Sequence, residues 1–351
     1  MDSSPSKRVA VVILNWNGRK FLEQFLSGVQ ANSGPHARIV VADNASTDDS
    51  LEYLRRNHPA VQLLPMNRNT GFTGGYNKAL EQLEDEFFVL LNSDIEVTPG
   101  WLDPLIRFMD EHPDAGACQP KILDFNRRSR FEYAGASGGF IDRLGYPYCR
   151  GRIFQSIEED HGQYDDPIPV FWATGACMVI RSKLYKALGG LDERFFAHME
   201  EIDLCWRLRR AGHSVYVIPA STIYHVGGGT LPKKNPRKTF LNFRNNLLLL
   251  HKNLSCKEFN RIYRKRMALD ALAAATFLIT GGWQDFKAVF KAHADFRKMK
   301  RENTGSSPIS PGRTQDGRSP FSILFQYHLR GKRRFSELPS NPLSGERSVI
   351  S

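Results

Sequence analysis

The sequence has few cysteines and no long apolar run. Its five cysteines are scattered over 351 residues, with no CxxC pair and no spacing typical of a metal finger. An odd, dispersed set of cysteines is typical of free thiols in a reducing compartment. No stretch reaches the roughly 18 consecutive apolar residues that a membrane-spanning helix needs, and residues 1–7 lead into a strand pattern without the apolar segment of a signal peptide. We therefore expect a cytoplasmic protein.

Two common nucleotide-binding motifs are missing as well. The dinucleotide fingerprint GxGxxG should follow the first predicted strand, where only Gly18 is found, and the glycine-rich stretch 71–75 follows the third. The GxxxxGK[S/T] sequence of a P-loop does not occur. These absences argue against a dehydrogenase of the Rossmann type and against a P-loop ATPase.

Positive charge is concentrated in the last third of the chain. Residues 231–351 hold 24 Lys and Arg against 8 Asp and Glu, whereas residues 1–230 hold 24 against 29. A basic end on a mildly acidic body predicts an anionic partner for that end, such as nucleic acid, a diphosphate or anionic lipid. The sequence contains no recognisable nucleic-acid-binding motif.

Apolar runs alternate with helical patterns in the first hundred residues. The predicted strands are 8–14, 38–42, 61–64 and 87–91. Alternation of this kind predicts an α/β fold with a doubly wound, mainly parallel sheet and right-handed crossovers. The last run, FFVLL, is uniformly apolar, which is typical of a strand buried on both faces.

Each of these strands ends in a polar cluster, marked by Asn15, Asp43, Asn69 and Asp94. Because ligands bind beyond the carboxyl ends of the strands in open α/β sheets, the four clusters outline a nucleotide site. A carboxylate such as Asp94 can hold a divalent cation that in turn holds phosphates. The alternative is a plain turn, since Asn, Ser and Asp are all turn formers.

The middle of the chain has a weaker pattern. Residues 121–169 are irregular and rich in Arg, Gly, Asp and Tyr, and the run 171–180 predicts another buried strand. A long irregular stretch inside a compact domain is typical of a functional lid or substrate loop.

Two further clusters carry titratable side chains. Glu200, Glu201 and Asp203 crowd the start of a helix predicted to begin near Met199. Helix dipoles favour acids there, so capping is the alternative to a catalytic role, although three acids exceed what a cap requires. His225 stands just before three glycines, whose backbone lets a ligand approach closely. A lone surface histidine usually has no such function.

Seven segments in a fixed order make a more specific pattern. They are VVILNWNG, VVADNASTDDS, NTGFTGGYNKAL, LLNSD, TGACMVIR, FFAHMEEIDLCWRLRRAG, and YHVGGGT followed by NFRNNLLLL, together covering about residues 8–250. The pattern resembles the inverting, nucleotide-sugar-dependent glycosyltransferases of family 2, which have a GT-A fold. It is most similar to the bacterial rhamnosyltransferase-type members.

This resemblance implies a pocket for a nucleoside-diphosphate sugar. The base and ribose would be lined by Asn15, Asp43, Arg68, Asn69 and Gly71. Asn92-Ser93-Asp94 stands at the family's DxD position and keeps one of the two aspartates. The resemblance implies that Asp94 is the main ligand of a Mn²⁺ or Mg²⁺ ion, and that His225 is a distant second ligand or a diphosphate contact. Two protein ligands suffice when diphosphate oxygens and water complete the shell.

The resemblance also assigns the chemistry. The family's acid pair falls on Glu200-Glu201; we assign Glu201 as the general base and keep Glu200 as the runner-up. Arg244 is expected to stabilise the leaving diphosphate, and Asp203 to order its helix by pairing with Arg207. The residues expected near the sugar and acceptor are Trp172, Thr174, Gly175 and Ala176, with a core position as the alternative for the tryptophan.

We divide the chain into a disordered N-terminus (1–7), a GT-A domain (8–250), a basic helical extension (251–302) and a mostly disordered linker and tail (303–351). Within the GT-A domain, residues 8–100 would form the nucleotide-binding half and residues 101–250 the acceptor and catalytic half. In the extension, basic residues precede the apolar stretch 267–280. Such an element either lies on an anionic membrane surface or packs on the catalytic domain.

The sequence thus predicts a metal-assisted inverting glycosyltransferase of class EC 2.4. It would move a sugar, such as rhamnose or another hexose, from a nucleoside-diphosphate donor to a hydroxyl of a surface-glycan or lipid-linked acceptor, as polysaccharide biosynthesis requires. For this function we expect no nucleic-acid partner, and a cytoplasmic location that allows peripheral contact with the inner face of the membrane.

Two other functions stay open. A nucleotidyltransferase on a similar sheet would need a glycine-rich, basic loop after the first strand, and NWNGRK is a poor version of one. A non-catalytic protein could use the basic end to bind anions or nucleic acid, with the salt dependence that such binding brings.

Overall fold

A computed structural model describes residues 8–227, 235–302 and 317–345 of the chain. The expected disordered N-terminus at residues 1–7, the linker at 303–316, the chain end at 346–351 and the glycines Gly228 and Gly229 lie outside the described residues.

The first hundred residues form the parallel half of a nine-stranded sheet. The strands are β1 (Val9–Asn15), β2 (Ala37–Asp43), β3 (Gln62–Pro65) and β4 (Phe87–Asn92), and they lie in the order β3-β2-β1-β4. The connecting helices are α1 (Arg19–Asn32), α2 (Ser50–Asn57) and α3 (Gly71–Glu81). All neighbouring strands in this half are parallel, which confirms the predicted alternation of strand and helix.

Strand β4 lies in the middle of the sheet because its side chains are apolar on both faces. Phe88 and Leu90 belong to the core on one face, whereas Phe87, Val89 and Leu91 belong to the core on the other. Side chains alternate between the two faces of a strand, so an unbroken apolar run can satisfy two cores at once.

The other half of the sheet is mixed. Its elements are β5 (Ile95–Val97), α4 (Leu102–Glu111), β6 (Ala115–Asp124), β11 (Ile168–Val170), β12 (Cys177–Arg181), α5 (Ser182–Ala187), α6 (Glu200–Arg210) and β13 (Ser214–His225). The order β11-β13-β6-β12 continues from β4, and β5 pairs with β13. Six of the nine strands run in one direction, as a mainly parallel sheet requires. The strand predicted for 171–180 occupies only its last part.

The stretch predicted to be irregular contains a second, four-stranded antiparallel sheet. Its strands are β7 (Gly139–Ile141), β8 (Pro147–Cys149), β9 (Arg152–Ile153) and β10 (Ser156–Ile157). The buried carboxylate of Asp142 fixes the β7–β8 turn by accepting hydrogen bonds from the backbone N–H groups of Leu144 and Tyr146, at 2.8 and 2.9 Å. Strands this short give almost no periodic signal in the sequence.

Three helices follow the main sheet: α7 (Pro236–Asn253), α8 (Cys256–Ile279) and α9 (Trp283–Glu302). Ser255 caps α8 by accepting a hydrogen bond from the N–H of Glu258. The boundary expected at residue 250 therefore falls inside α7. No helix in the described ranges is long and apolar enough to cross a bilayer.

The chain end differs from the expectation for residues 303–351, because residues 317–345 are folded. Ser319 and Ile323 are fully buried, and Asn341 donates hydrogen bonds to the hydroxyls of Tyr148 and Ser319 at 3.2 and 2.6 Å. The ring of Phe335 lies 5.0 Å from that of Phe140 in β7. This segment folds because the small sheet offers an apolar face that it covers.

Candidate active site

The carboxyl edge of the parallel strands brings the predicted nucleotide residues together. Asn15 and Asp43 are partners in the β1–β2 register, and the amide of Asn15 donates to the Asp43 carboxylate at 2.9 Å. Both side chains are buried. Among the described residues, the carbonyl oxygen of the Asn15 side chain has no hydrogen-bond partner. It is an acceptor that a ligand N–H or O–H could satisfy.

A second asparagine, which the sequence analysis did not single out, fixes the next loop. The side chain of Asn44 donates to Asn69 Oδ1 at 3.1 Å and to the carbonyl of Gly71 at 2.9 Å, and accepts from the N–H of Thr70. Arg68 is exposed and lines a cavity of about 410 Å³ together with side chains of α3. The structure therefore brings Asn69 and Gly71 into the network, and leaves Arg68 at its outer rim.

The DxD-like segment lies directly beside this edge. Asn92 ends β4, and its N–H donates to the carbonyl of Ala176 at 2.9 Å. A Cβ added at Gly18 would lie 2.4 Å from Asn15 Oδ1 and 3.5 Å from the hydroxyl oxygen of Ser93. The ends of β1 and β4 therefore border one space. A side chain at position 18 would enter this space, whereas glycine leaves it open.

Asp94 and His225 are in direct contact. In the antiparallel pairing of β5 with β13, His225 is opposite Ile95, and the N–H of Val226 donates to the carbonyl of Asp94. His225 Nε2 lies 3.1 Å from Asp94 Oδ1. The two residues are 131 positions apart in the chain, and strand pairing alone brings them together.

A third member of this cluster, Glu132, was missed in the sequence. A bridge between Leu123 and Phe131 returns the chain alongside β6, and Glu132 Oε1 then lies 3.4 Å from His225 Nδ1. The imidazole therefore lies between two buried carboxylates. In the sequence, Glu132 is distinguished only by its place next to an aromatic residue in a polar stretch. That pattern is too common to predict a functional role.

The three charged groups of this cluster stabilise one another's ionised forms. Burial alone would lower the pKa of His225, but the charge of Glu132 and the hydrogen bond to Asp94 raise it to about 10. Burial alone would raise the pKa values of Asp94 and Glu132, but His225 brings both below their ordinary values. The two carboxylates are therefore ionised and hold a positive group between them.

The donor set suits a hard divalent cation that is shared with a ligand. Within the described ranges no group of three or more His, Cys, Asp and Glu side chains could hold a metal ion. Asp94 supplies a carboxylate oxygen. His225 supplies an imidazole nitrogen once an incoming cation displaces the proton that this ring carries in the free protein. Two such ligands suffice when phosphate oxygens complete the shell. Glu132 meets the other imidazole nitrogen, as outer carboxylates do in many metal sites.

The predicted acid pair lies at the first turn of α6. Glu200 is buried, whereas Glu201 is half-buried. A Cβ added at Gly175 would lie 3.7 Å from the Cβ of Glu201, so the two residues are neighbours. Because the N–H of Asn92 contacts the carbonyl of Ala176, the turn at residues 174–176 lies between Glu201 and the end of β4.

Burial and mutual repulsion govern the protonation of this pair. Burial raises the pKa of Glu201 to about 7. Burial, and after it the charge of Glu201, raises the pKa of Glu200 well above its ordinary value. The Oε2 atom of each has no hydrogen-bond partner in the described part of the chain.

A strained turn directly precedes the acid pair. Phe196, His198 and Met199 have positive φ angles of 65°, 70° and 73°, which side chains other than glycine rarely adopt. Asn245 holds the turn: its amide nitrogen lies within 2.8 to 2.9 Å of the carbonyl oxygens of Phe195, Ala197 and His198. This constraint was not predicted.

Arg244, which is expected to stabilise the leaving diphosphate, lies beside this turn. Its guanidinium donates to the carbonyls of Arg194 and Phe195 at 3.1 and 3.0 Å, and pairs with Asp295 at 3.3 Å. Arg244 therefore supports the turn together with Asn245. Asp203 pairs with Arg207 at 2.8 Å, as predicted.

The residues expected near the sugar divide into two groups. Trp172 is 3% exposed, its indole N–H donates to the carbonyl of Phe140, and its ring packs against Gly139. Trp172 is thus a core residue rather than a stacking platform. Thr174, Gly175 and Ala176 form a buried turn, held by the hydrogen bond from Thr174 N to Gln119, next to Glu201.

A buried cation, Arg152, was also missed. It lies in β9, donates to the sulfur of Cys149 at 3.2 Å and stacks on the ring of Tyr133 at 4.6 Å. A thiol is a weak acceptor, and the Nε of Arg152 has no partner among the described residues. The segment 121–169 thus contributes Glu132 and Arg152 to the site.

A comparison with protein families decides the identity. The model of glycosyl transferase family 2 matches residues 10–189, which is more than half of the chain. The chain belongs to glycosyl transferase family 2. It is a glycosyltransferase that uses sugar-nucleotide donors, and this settles the choice against a nucleotidyltransferase and a non-catalytic binding protein.

Characterised relatives place this family 2 transferase near the rhamnosyltransferases, as predicted. It is 29% identical over 236 residues to the N-acetylglucosaminyl-diphospho-decaprenol L-rhamnosyltransferase of Mycobacterium tuberculosis, covering 63% of this chain and 76% of that protein. It is 24% identical to the low-salt glycan biosynthesis hexosyltransferase Agl10 of Haloferax volcanii, covering 82% and 87%.

Solved structures confirm the GT-A type of fold. GalNAc-T7 with UDP, GalNAc and Mn²⁺ superposes with a TM-score of 0.58 at 16% identity, covering 84% of this chain and 56% of that one. Residues 1–349 of S. aureus TarS with UDP-GlcNAc give a TM-score of 0.55 at 15% identity, covering 82% and 80%.

Proposed function

We propose that this transferase is inverting and metal-assisted, and that it moves a deoxyhexose such as rhamnose, or another hexose, onto a hydroxyl of a surface-glycan or lipid-linked acceptor. One observation carries the proposal. The cluster of Asp94, His225 and Glu132 lies near Glu201: Ala176 contacts Asn92, Gly175 neighbours Glu201, and the charges of both Glu132 and Glu201 reach the Cys149 thiol.

The nucleotide of the donor would lie along the carboxyl edge of β1 to β4. Asn15 and Asp43 would bind the base and ribose, since Asn15 keeps a buried acceptor without a partner among the described residues. Asn69 and Gly71 would close the pocket from the next loop, where Asn44 already holds them. We accordingly propose residues 8–100 as the nucleotide half and residues 101–250 as the catalytic half.

Asp94 and His225 would hold a Mn²⁺ or Mg²⁺ ion, a proposal that the Mn²⁺ in the GalNAc-T7 structure supports. When bound, the cation neutralises charge that develops on the departing diphosphate. Glu132 would keep the imidazole of His225 turned with Nε2 toward Asp94. Arg152 would supply a second positive charge to the phosphate oxygens: it lies close enough to Glu132 for their charges to interact, and Cys149, to which it donates, is a weak acceptor.

Glu201 would take the proton of the acceptor hydroxyl. The acceptor oxygen then forms a bond to C1 of the sugar on the face opposite the diphosphate, while the bond from C1 to the diphosphate oxygen breaks with its electron pair. A carboxylate with a pKa of about 7 is well matched to this task at neutral pH. The chain's relatives support the acceptor class, since one is named for N-acetylglucosaminyl-diphospho-decaprenol.

A donor screen tests the proposal. The full chain is incubated with individual nucleoside-diphosphate sugars, a lipid-diphosphate-linked sugar acceptor and Mn²⁺ or Mg²⁺, and release of nucleoside diphosphate is measured. We expect release with one donor class, abolished by a chelator and restored by added Mn²⁺. Turnover that is unaffected by the chelator would contradict the role of the cation.

A further inference from the structure

The α8–α9 hairpin ends in a tip without charge. Residues 271–284, ALAAATFLITGGWQ, contain no Asp, Glu, Lys or Arg and are called the apolar tip here. Large apolar side chains on it face solvent: Ile279 is 85% exposed, Leu272 66% and Trp283 50%. Soluble monomers rarely expose so many neighbouring apolar side chains without a partner for them.

The apolar side chains continue a stripe that is basic farther from the tip. On α8, the exposed positions Arg261, Arg264 and Lys265 lead to Leu272 and Ile279 at helical spacing. On α9, the exposed stripe begins with Trp283 and continues through Lys287, Phe290 and Lys291, followed by Arg297 and Lys298. The apolar tip is therefore surrounded by cations on both helices.

The tip lies at the same end of the molecule as the catalytic turn. Thr239 in the first turn of α7 donates to Asp285 at the start of α9, at 2.6 Å. In the same turn of α7, the Arg237 guanidinium lies 5.1 Å from the ring centroid of Phe196, in the strained turn before Glu200. The first turn of α7 thus contacts both the residue that follows the apolar tip and the strained turn that precedes the acid pair.

We propose that the apolar tip inserts into the interfacial layer of an anionic lipid bilayer, with the surrounding lysines and arginines on the lipid headgroups, so that the active site works at the membrane surface. Apolar and aromatic side chains with cations beside them are the composition of interfacial helices, and basic clusters are attracted to anionic lipid. A second copy of this chain fits less well, since it would bring the same positive surface against this one.

Vesicle flotation of the full chain tests the proposal. We expect the protein to float with phosphatidylcholine vesicles that contain phosphatidylglycerol, less with phosphatidylcholine alone, and less at high salt. Ile279→Glu should weaken vesicle binding about tenfold or more, because a charge replaces a large inserted side chain. The matched control is Leu329→Glu, which changes a leucine that is 75% exposed on the segment 317–345 and should float like the parent.

Several outcomes would overturn the proposal. They are a parent protein that does not float, an Ile279→Glu variant that floats normally, and a control that loses binding equally. A dimer in solution that Ile279→Glu dissolves would assign the tip to a second copy instead. Turnover on a water-soluble acceptor should be the same in Ile279→Glu and the parent, so failure of this proposal is distinguishable from failure of the proposed reaction.

Tryptophan fluorescence gives a second readout that does not depend on folding of a charged variant. Brominated lipids in the vesicles should quench the emission of Trp283, and Trp283→Phe should remove that quenching while the protein still floats. Quenching that is equal in Trp283→Phe and the parent would contradict insertion of the tip.

Discussion

The two carboxylate clusters of the active site have opposite electrostatics, although Asp94, Glu132 and Glu200 are all buried. Asp94 and Glu132 have His225 between them, and their pKa values lie below the ordinary value. Glu200 and Glu201 lie beside each other, and burial raises the pKa values of both. Burial alone therefore does not decide what a carboxylate does; the charge beside it does. The first cluster is built to hold a cation, and the second to accept a proton.

Removing the proton acceptor should have the largest effect. We expect Glu201→Gln to lower kcat by about 10² to 10⁴-fold, since the amide cannot take the acceptor's proton. In the parent, kcat should rise with pH up to a pKa of about 7, because only the ionised carboxylate acts as a base. Steady-state rates from about pH 5 to about pH 9, a range that brackets the raised pKa of Glu201, would show both effects.

The matched control is Glu111→Gln, at the exposed end of α4, which should keep the parent's rate and pH profile. Full turnover in Glu201→Gln combined with loss in Glu200→Gln would exchange the roles of the two acids.

Removing the proposed metal carboxylate should come next. Asp94→Asn should lower kcat/KM by about 10² to 10³-fold, because charge on the leaving diphosphate loses its main stabilisation. Binding of Mn²⁺ in the presence of nucleoside diphosphate, followed by electron paramagnetic resonance, should weaken in parallel. Asp114→Asn, an exposed aspartate before β6, serves as the control, and equal loss in both variants would argue against a specific role for Asp94.

Glu132 tests the difference between the two clusters, because it acts through His225 and not on the ligand. Glu132→Gln should weaken Mn²⁺ affinity by about 10 to 100-fold, as loss of an outer carboxylate does in other metal sites. The rise of kcat with pH should stay where it is, since that rise belongs to Glu201. If Glu159→Gln, an exposed neighbour in the same segment, weakens the affinity as much, Glu132 has no special position.

The smallest expected effect is on stability. The folded state keeps a proton on Glu200 above the ordinary pKa of 4.5, so its free energy of unfolding falls as pH rises toward the raised pKa. Glu200→Gln removes this loss and should stabilise the protein at pH 8 by about 1 to 3 kcal/mol, with little change at low pH. Urea unfolding at both pH values measures it, and equal destabilisation at both would contradict the account.

The first hundred residues were predictable because their signals are local. Apolar runs that end in Asn15, Asp43 and Asn92 predict strands with polar carboxyl ends, and parallel strands bring those ends together. The pairing of Asp94 with His225 could not be read from spacing, since it depends on the register of β5 with β13. Only the family resemblance connected the two residues.

The rest of the site could not be predicted because distant segments assemble it. Glu132 and Arg152 enter through the small sheet, whose strands of two or three residues have no periodicity. Arg244 is expected at the diphosphate because it is a cation in a family segment, but its contacts with the backbone carbonyls of the turn before α6 could not be predicted. A sequence does not show which backbone carbonyls a strained turn will expose.

The most direct test of the central claim is a crystal of the protein grown with nucleoside diphosphate and Mn²⁺, measured for anomalous scattering from the metal. We expect a manganese peak at about 2.0 to 2.6 Å from ligand atoms of Asp94 and His225, with the diphosphate extending from it toward Glu201. A metal and diphosphate bound elsewhere, away from Asp94 and His225, would contradict it.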